Sequence, residues 1–199
     1  MQTVDHSELS LMLFKVNGST YLNTPETALL IGLVQSVYPK VMIEIGCQLG
    51  CTAIAILKHV PSLESYIGID VPFHHQTTLP GQQSEVPASP GLYALDPRFH
   101  LLIRETGSQE LEPDDLEPCD VVFIDGDHSE NAVLRDSLLA QALVRPGGII
   151  VWHDYNNQTV EVTSALNQLS DAGWPITHIT DTWLAFCRIE GGNHADQTR

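Results

Sequence analysis

The chain is short of positive charge. Its 199 residues carry 9 Lys and Arg against 25 Asp and Glu, a net charge of -16 with His neutral. Such a surface repels phosphate backbones and anionic headgroups, which argues against nucleic acid and membranes as partners. Long apolar runs are also missing. Hydrophobic residues make up 43% of the chain, enough for one sizeable core, but no run is long enough to span a bilayer. The segment Met1 to His6 has no basic region typical of a signal peptide, so the cytoplasm is the expected location. Cysteine is scarce. Cys47, Cys51, Cys119 and Cys187 form no CxxC pair and no zinc spacing, and are read as reduced and structural. The chain is read as one domain over 1–199, with an N-terminal extension to about 23 and a polar, frayed tail from 191 to 199.

What is present is a pair of short apolar runs that each end in Asp and His. Val121-Val122-Phe123-Ile124 leads into Asp125-Gly126-Asp127-His128, and Ile149-Ile150-Val151-Trp152 leads into His153-Asp154-Tyr155. Such runs read as strands buried on both faces. The segment between them fits one helix, about 129–144, stopped by Pro146-Gly147-Gly148. The acids and imidazoles then lie at the carboxyl ends of two parallel strands, where open α/β sheets bind ligands.

Further strands are expected at 41–45, 66–70, 99–103, 176–180 and 183–188, and helices at 24–37, from 52, and at 160–169. Thr24-Pro25-Glu26 is a helix start, with Pro at the first helical position. Asp181-Thr182 alone separates the last two strands, which suits a hairpin. The order predicts an α/β, doubly wound, mostly parallel seven-stranded sheet with an antiparallel last strand. Residues 71–97 break the rhythm with five prolines and two glycines. A loop of that length is a lid, a binding loop or a disordered insert. His74 and His75 stand near its start, and Phe73, Leu79, Leu92 and Tyr93 are candidates to touch an apolar acceptor.

The first strand runs into Glu44-Ile45-Gly46-Cys47-Gln48-Leu49-Gly50. Gly46 permits a tight turn, Gly50 a close helix start, and the backbone N–H groups there can face a ligand. This is not the GxGxxG fingerprint of dinucleotide sites, which makes a dehydrogenase the poorer reading. Asp70 follows Gly50 by 20 residues at a strand end, placed to accept from both hydroxyls of a ribose. Loop and acid together suit an adenosine ligand without phosphates.

Glu44-x-Gly46-x-x-x-Gly50, Asp70, Gly107-Ser108-Gln109, Asp125 and Pro146-Gly147-Gly148 resemble the motifs of class I S-adenosylmethionine-dependent methyltransferases. Residues 123–129 and 151–155 resemble, more narrowly, the macrocin-type small-molecule O-methyltransferases. The resemblance implies a Rossmann-like methyltransferase fold over about 24–190. It implies Glu44, Gly46, Gly50, Thr52, Asp70, Ser108, Gln109 and Asp125 as cofactor-binding residues. It implies a divalent metal, Mg²⁺ first, on Asp125 and Asp154, with His153, Asn156 or Asn157 as third ligand. A histidine there would shift the balance toward a transition metal. His128, with Asp125, is the catalytic candidate: a near-neutral base for a substrate hydroxyl, or else a structural histidine beside a helix start. The expected reaction is methyl transfer to a hydroxyl of a sugar, phenol or other small molecule. A metal-dependent hydrolase built on the Asp/His cluster and a non-catalytic cofactor-binding protein are the rivals. A homodimer is left open.

Overall fold

The computed structural model describes residues 1–4 and 24–190. The expected tail and most of the N-terminal extension lie outside the described residues. The elements are β1 Gln2–Val4, α1 Thr24–Gln35, β2 Val41–Ile45, α2 Cys51–His59, β3 Ser65–Asp70, β4 Phe99–Ile103, β5 Cys119–Ile124, α3 Glu130–Leu143, β6 Val144–Trp152, α4 Val162–Asp171, β7 Thr177–Ile179 and β8 Ala185–Arg188. They form one sheet in the order β1-β7-β8-β6-β5-β2-β3-β4. Strand β8 alone runs against its neighbours β6 and β7.

The doubly wound, mostly parallel architecture is as expected, with one correction: the sheet has eight strands, not seven. The added strand is β1, which pairs parallel to β7 with Gln2 opposite Thr177 and Thr3 opposite His178. A three-residue edge strand shows no periodicity by itself, so only its partner reveals it. A second difference lies at Pro146-Gly147-Gly148. Strand β6 already starts at Val144, paired with Cys119, and its register shifts before Val121 meets Ile149. The glycines therefore lie in an irregular stretch of strand rather than in a loop before it.

Successive strand residues face opposite sides, and both sides are covered. Met42, Tyr66, Phe123 and Val151 pack with Leu30, Val34, Ile56 and Leu57 of α1 and α2. Ile43, Ile69, Val122 and Ile150 pack with Val133, Leu139, Leu166 and Leu169 of α3 and α4. That is why the strands read as unbroken apolar runs. Among the described residues, no helix is long and apolar enough to cross a membrane.

The chain leaves β2 for β3 and β4 on one side, then returns to place β5 on the other. This reversal between β2 and β5 is the topological switch point, where a crevice opens beyond the strand ends.

Candidate active site

Five strand ends surround one cavity of about 710 Å³. On its β2–β4 side, Gly46 turns with φ +84°, and its N–H donates to Ile69 O at 2.8 Å. A β-carbon on Gly46 would lie 2.2 Å from Asp125 O, so this close approach needs glycine. Asp70 accepts from Gln48 N at 2.6 Å and Val71 N at 2.7 Å, which holds its carboxylate on the cavity wall. Burial is the largest influence on it and pushes the carboxyl above its ordinary range. Beyond β4, Gly107, Ser108 and Gln109 form a 3-10 turn that also lines the cavity.

On the β5–β6 side stand Asp125, His128, His153 and Asp154. His128 Nε2 lies 3.4 Å from Asp125 Oδ1, and its Nδ1 lies 3.3 Å from Asp154 Oδ2. His153 Nδ1 lies 3.3 Å from Asp125 Oδ1 and 3.5 Å from Asp154 Oδ2. Neighbouring strand residues ordinarily diverge. His153 and Asp154 converge because Asp154 leaves the strand with φ 61°, a conformation that Asp tolerates better than most residues. Asn157 Nδ2 donates to Asp154 Oδ1 at 2.8 Å.

A family model described as a methyltransferase domain matches residues 43–155, more than half of the chain and all five strand ends. The chain belongs to this methyltransferase-domain family. Solved structures share the fold. Cofactor-bound Rv0187 from MTB is 17% identical with a TM-score of 0.62, covering 94% of this chain and 87% of that one. The O-methyltransferase TomG from Streptomyces achromogenes, involved in tomaymycin synthesis and in complex with SAM, is 15% identical with a TM-score of 0.57, covering 85% and 82%. The SAH-bound methyltransferase PaMTH1 from Podospora anserina is 14% identical with a TM-score of 0.55, covering 86% and 84%. No curated protein matches the chain. The resemblance to class I S-adenosylmethionine-dependent methyltransferases is borne out in family and in fold.

Within this methyltransferase the expected site residues fall into two groups. Gly46, Asp70, Ser108, Gln109, Asp125, His128, His153 and Asp154 share the cavity wall. Glu44, Gly50 and Thr52 do not. Glu44 is buried beneath the turn and accepts from Tyr66 Oη at 2.9 Å. Burial, then the nearby carboxylates of Asp125 and Asp70, push the Glu44 carboxyl up to about 8 against the lowering effect of that bond. Gly50 ends the loop with φ 81°, just ahead of α2, and Thr52 is buried in the first turn of α2. Asn157 lines the cavity, whereas Asn156 faces a separate, smaller depression beside His178 and Trp183.

The donor set at β5–β6 fits a divalent cation. Asp125, His128 and Asp154 each offer a ligand atom within 4.8 Å of the others. The buried Nε2 of His128 makes no hydrogen bond. The structure groups His128 with the two carboxylates, and His153 lies on the same wall with its Nε2 3.7 Å from Glu26 Oε2. Burial opposes charge on Asp125, but His153 and His128 outweigh it and hold the carboxyl at about 2. Burial likewise opposes charge on His153, yet Asp125, Asp154 and Glu26 push it up to about 12.

Three residues here escaped the sequence reading. Glu26 of α1 accepts from Trp183 N at 2.7 Å and so ties α1 to the β7–β8 turn beside the site. Asp136 of α3 lies under Ser108 and Gln109. Gln82 is buried in a 3-10 turn, Pro80–Glu85, within the 71–97 loop. Its Oε1 accepts from His128 N at 3.1 Å, and its amide nitrogen meets His128 Nδ1. The loop thereby spans the cavity, whose lining includes residues 75–79 and 85–87. One expectation is corrected. Leu79 reaches the cavity, but Phe73, Leu92 and Tyr93 point to solvent. The loop's second half turns away to back the glycine turn, with Gly91 N donating to Gln48 O at 2.7 Å and Tyr93 N to Leu49 O at 2.9 Å. His75 lines the cavity; His74 sits outside on Glu105 at 3.1 Å.

Proposed function

We propose that the protein transfers a methyl group from S-adenosylmethionine to a hydroxyl of a small, non-anionic molecule, with a divalent cation held by Asp125, His128 and Asp154. The carrying observation is the single cavity with two unlike halves: a turn-and-acid half at β2–β4 and a carboxylate–imidazole half at β5–β6. The sulfonium supplies an activated methyl group, and a bound cation supplies acidity to the accepting hydroxyl.

The chain's own residues hold and orient. Asp70 accepts from ribose hydroxyls, and the Gly46 turn lets the donor lie against the sheet. Asp125, at the switch point, stands between the two halves and fixes their separation, and alignment of this kind supplies much of the rate. His153 keeps the Asp125 carboxylate ionised. Gln82 and residues 75–79 cover the acceptor side and exclude water.

The lining supports the acceptor class. Gln76, Thr77, Thr78, Asn157, Thr159 and Trp183 present hydroxyls, amides and one indole, while Glu85 and Asp127 add carboxylates. Among the described residues the lining has no Lys or Arg to pair with a phosphate- or carboxylate-bearing acceptor. The family match favours methyl transfer over the hydrolase reading.

His128 has a second supported role, that of general base, because it lies three residues beyond Asp125 on the cavity wall. Two measurements separate the possibilities. Calorimetry is expected to show micromolar binding of S-adenosylhomocysteine, weakened at least tenfold in Asp70→Ala; no binding by the wild type sinks the donor assignment. Excess chelator is expected to abolish methyl transfer. Full activity in chelator removes the cation and leaves His128 as the base. Tight cofactor binding without transfer to any of a broad hydroxyl panel would favour a non-catalytic protein.

A further inference from the structure

One buried carboxylate has no place in that chemistry. Asp136 sits in the middle of α3, fully buried. Its neighbour Arg135 does not pair with it but reaches the carbonyls of Gln109 and Leu111 and the Glu112 carboxylate. Asp136 Oδ1 accepts from Ser108 Oγ at 2.6 Å and from Gln109 Nε2 at 2.9 Å, while Oδ2 has no partner. A half-satisfied buried acid is costly. What it achieves is orientation of two side chains on the cavity wall.

A glutamine amide can be turned either way, and its partner decides. Asp136 Oδ1 accepts from both Ser108 Oγ and the Gln109 amide, so the NH₂ end of Gln109 turns inward. The carbonyl Oε1 is then the outer end, and it accepts nothing from the described residues. Adjacent strands lie about 4.8 Å apart, so a nucleoside whose ribose rests on Asp70 at the end of β3 places its base beyond β4, where Ser108 and Gln109 stand. An acceptor there matches the 6-amino group of adenine and repels the 6-oxo group of hypoxanthine.

We infer that Asp136 is a positioning residue that holds the Gln109 carbonyl toward the cavity and so makes the pocket select a 6-amino over a 6-oxo purine. The inference rests on the S-adenosylmethionine reading above. Calorimetry with S-adenosylhomocysteine and its inosine counterpart tests it. The wild type should prefer the adenosine form by roughly tenfold or more. In Asp136→Asn, whose amide can donate to the Gln109 carbonyl and turn it inward, the ratio should fall toward one or reverse. Gln109→Ala, on the cavity wall, should also bring the ratio toward one and decides the matter if the buried variant does not fold. A folded Asp136→Asn or a Gln109→Ala with the wild-type ratio overturns the inference alone. A wild type that binds neither compound overturns the donor assignment, and this inference with it.

Discussion

At Gly46 two demands meet in one residue: a left-handed backbone, φ +84°, and contact with the Asp125 carbonyl that leaves no room for a β-carbon. Gly46→Ala therefore both strains the turn and pushes it from β5. The expected result is a loss of roughly 2–4 kcal/mol in unfolding free energy, with donor binding reduced at least in proportion. Denaturant titration and calorimetry check both, and an alanine variant of unchanged stability would contradict the geometry. Residues of this kind were legible in the sequence, because their reason is local. Gly46 and Asp70 lie next to strand ends that hydropathy alone locates. Glu26, Gln82 and Asp136 were not. Each acquires its meaning from a partner far along the chain: Trp183 is 157 residues from Glu26, His128 is 46 from Gln82, and Ser108 is 28 from Asp136.

Among elements, the first half of the 71–97 loop is tied to Glu105 through His74 and His75, and over the site through Thr78 and Gln82. Gln82 grips both the backbone and the ring of His128, and Thr78 N reaches Asp127 Oδ2 at 3.4 Å. Gln82→Ala should release the first half of the loop while its second half stays bonded to Gln48 and Leu49. Chymotryptic cleavage after Phe73 is expected to quicken several-fold, and the acceptor KM to rise more than kcat falls. Equal cleavage rates in variant and wild type would show that Gln82 does not hold the loop. The length and proline content of this segment announced a functional loop, but not its division into a covering half and a buttressing half. Edge strand β1 was hidden for a related reason: Gln2-Thr3-Val4 has no pattern until Thr177-His178-Ile179 is laid beside it. The central strands needed no such help, since burial on both faces writes itself as continuous apolar sequence.

For the molecule as a whole, acidity has a consequence for stability against pH. Glu44 has its carboxyl pushed up from 4.5 to about 8 by burial first and by neighbouring carboxylates second. In the unfolded chain the group ionises near its ordinary value. Its contribution is thus fully present below about 4.5 and is lost as pH rises through about 8. Glu44→Gln keeps an acceptor for Tyr66 and carries no charge. Relative to wild type, the variant should gain on the order of a few kcal/mol between pH 5 and pH 8.5, as read by urea unfolding at both values. A constant difference across that range would mean that Glu44 is ionised in the fold.

The contact between the Gly46 turn and β5 reaches further than the stability of one loop. Asp125 N donates to Ile45 O at 2.8 Å, so the two halves of the cavity floor are stitched together backbone to backbone, with no side chain between them to serve as a shim. The floor is a rigid jig: the reach from methyl donor to accepting atom is set when the sheet forms. A larger or differently shaped acceptor can be admitted only from above. Retargeting this enzyme is then a matter of exchanging its roof, residues 71–87, while its foundations stay untouched.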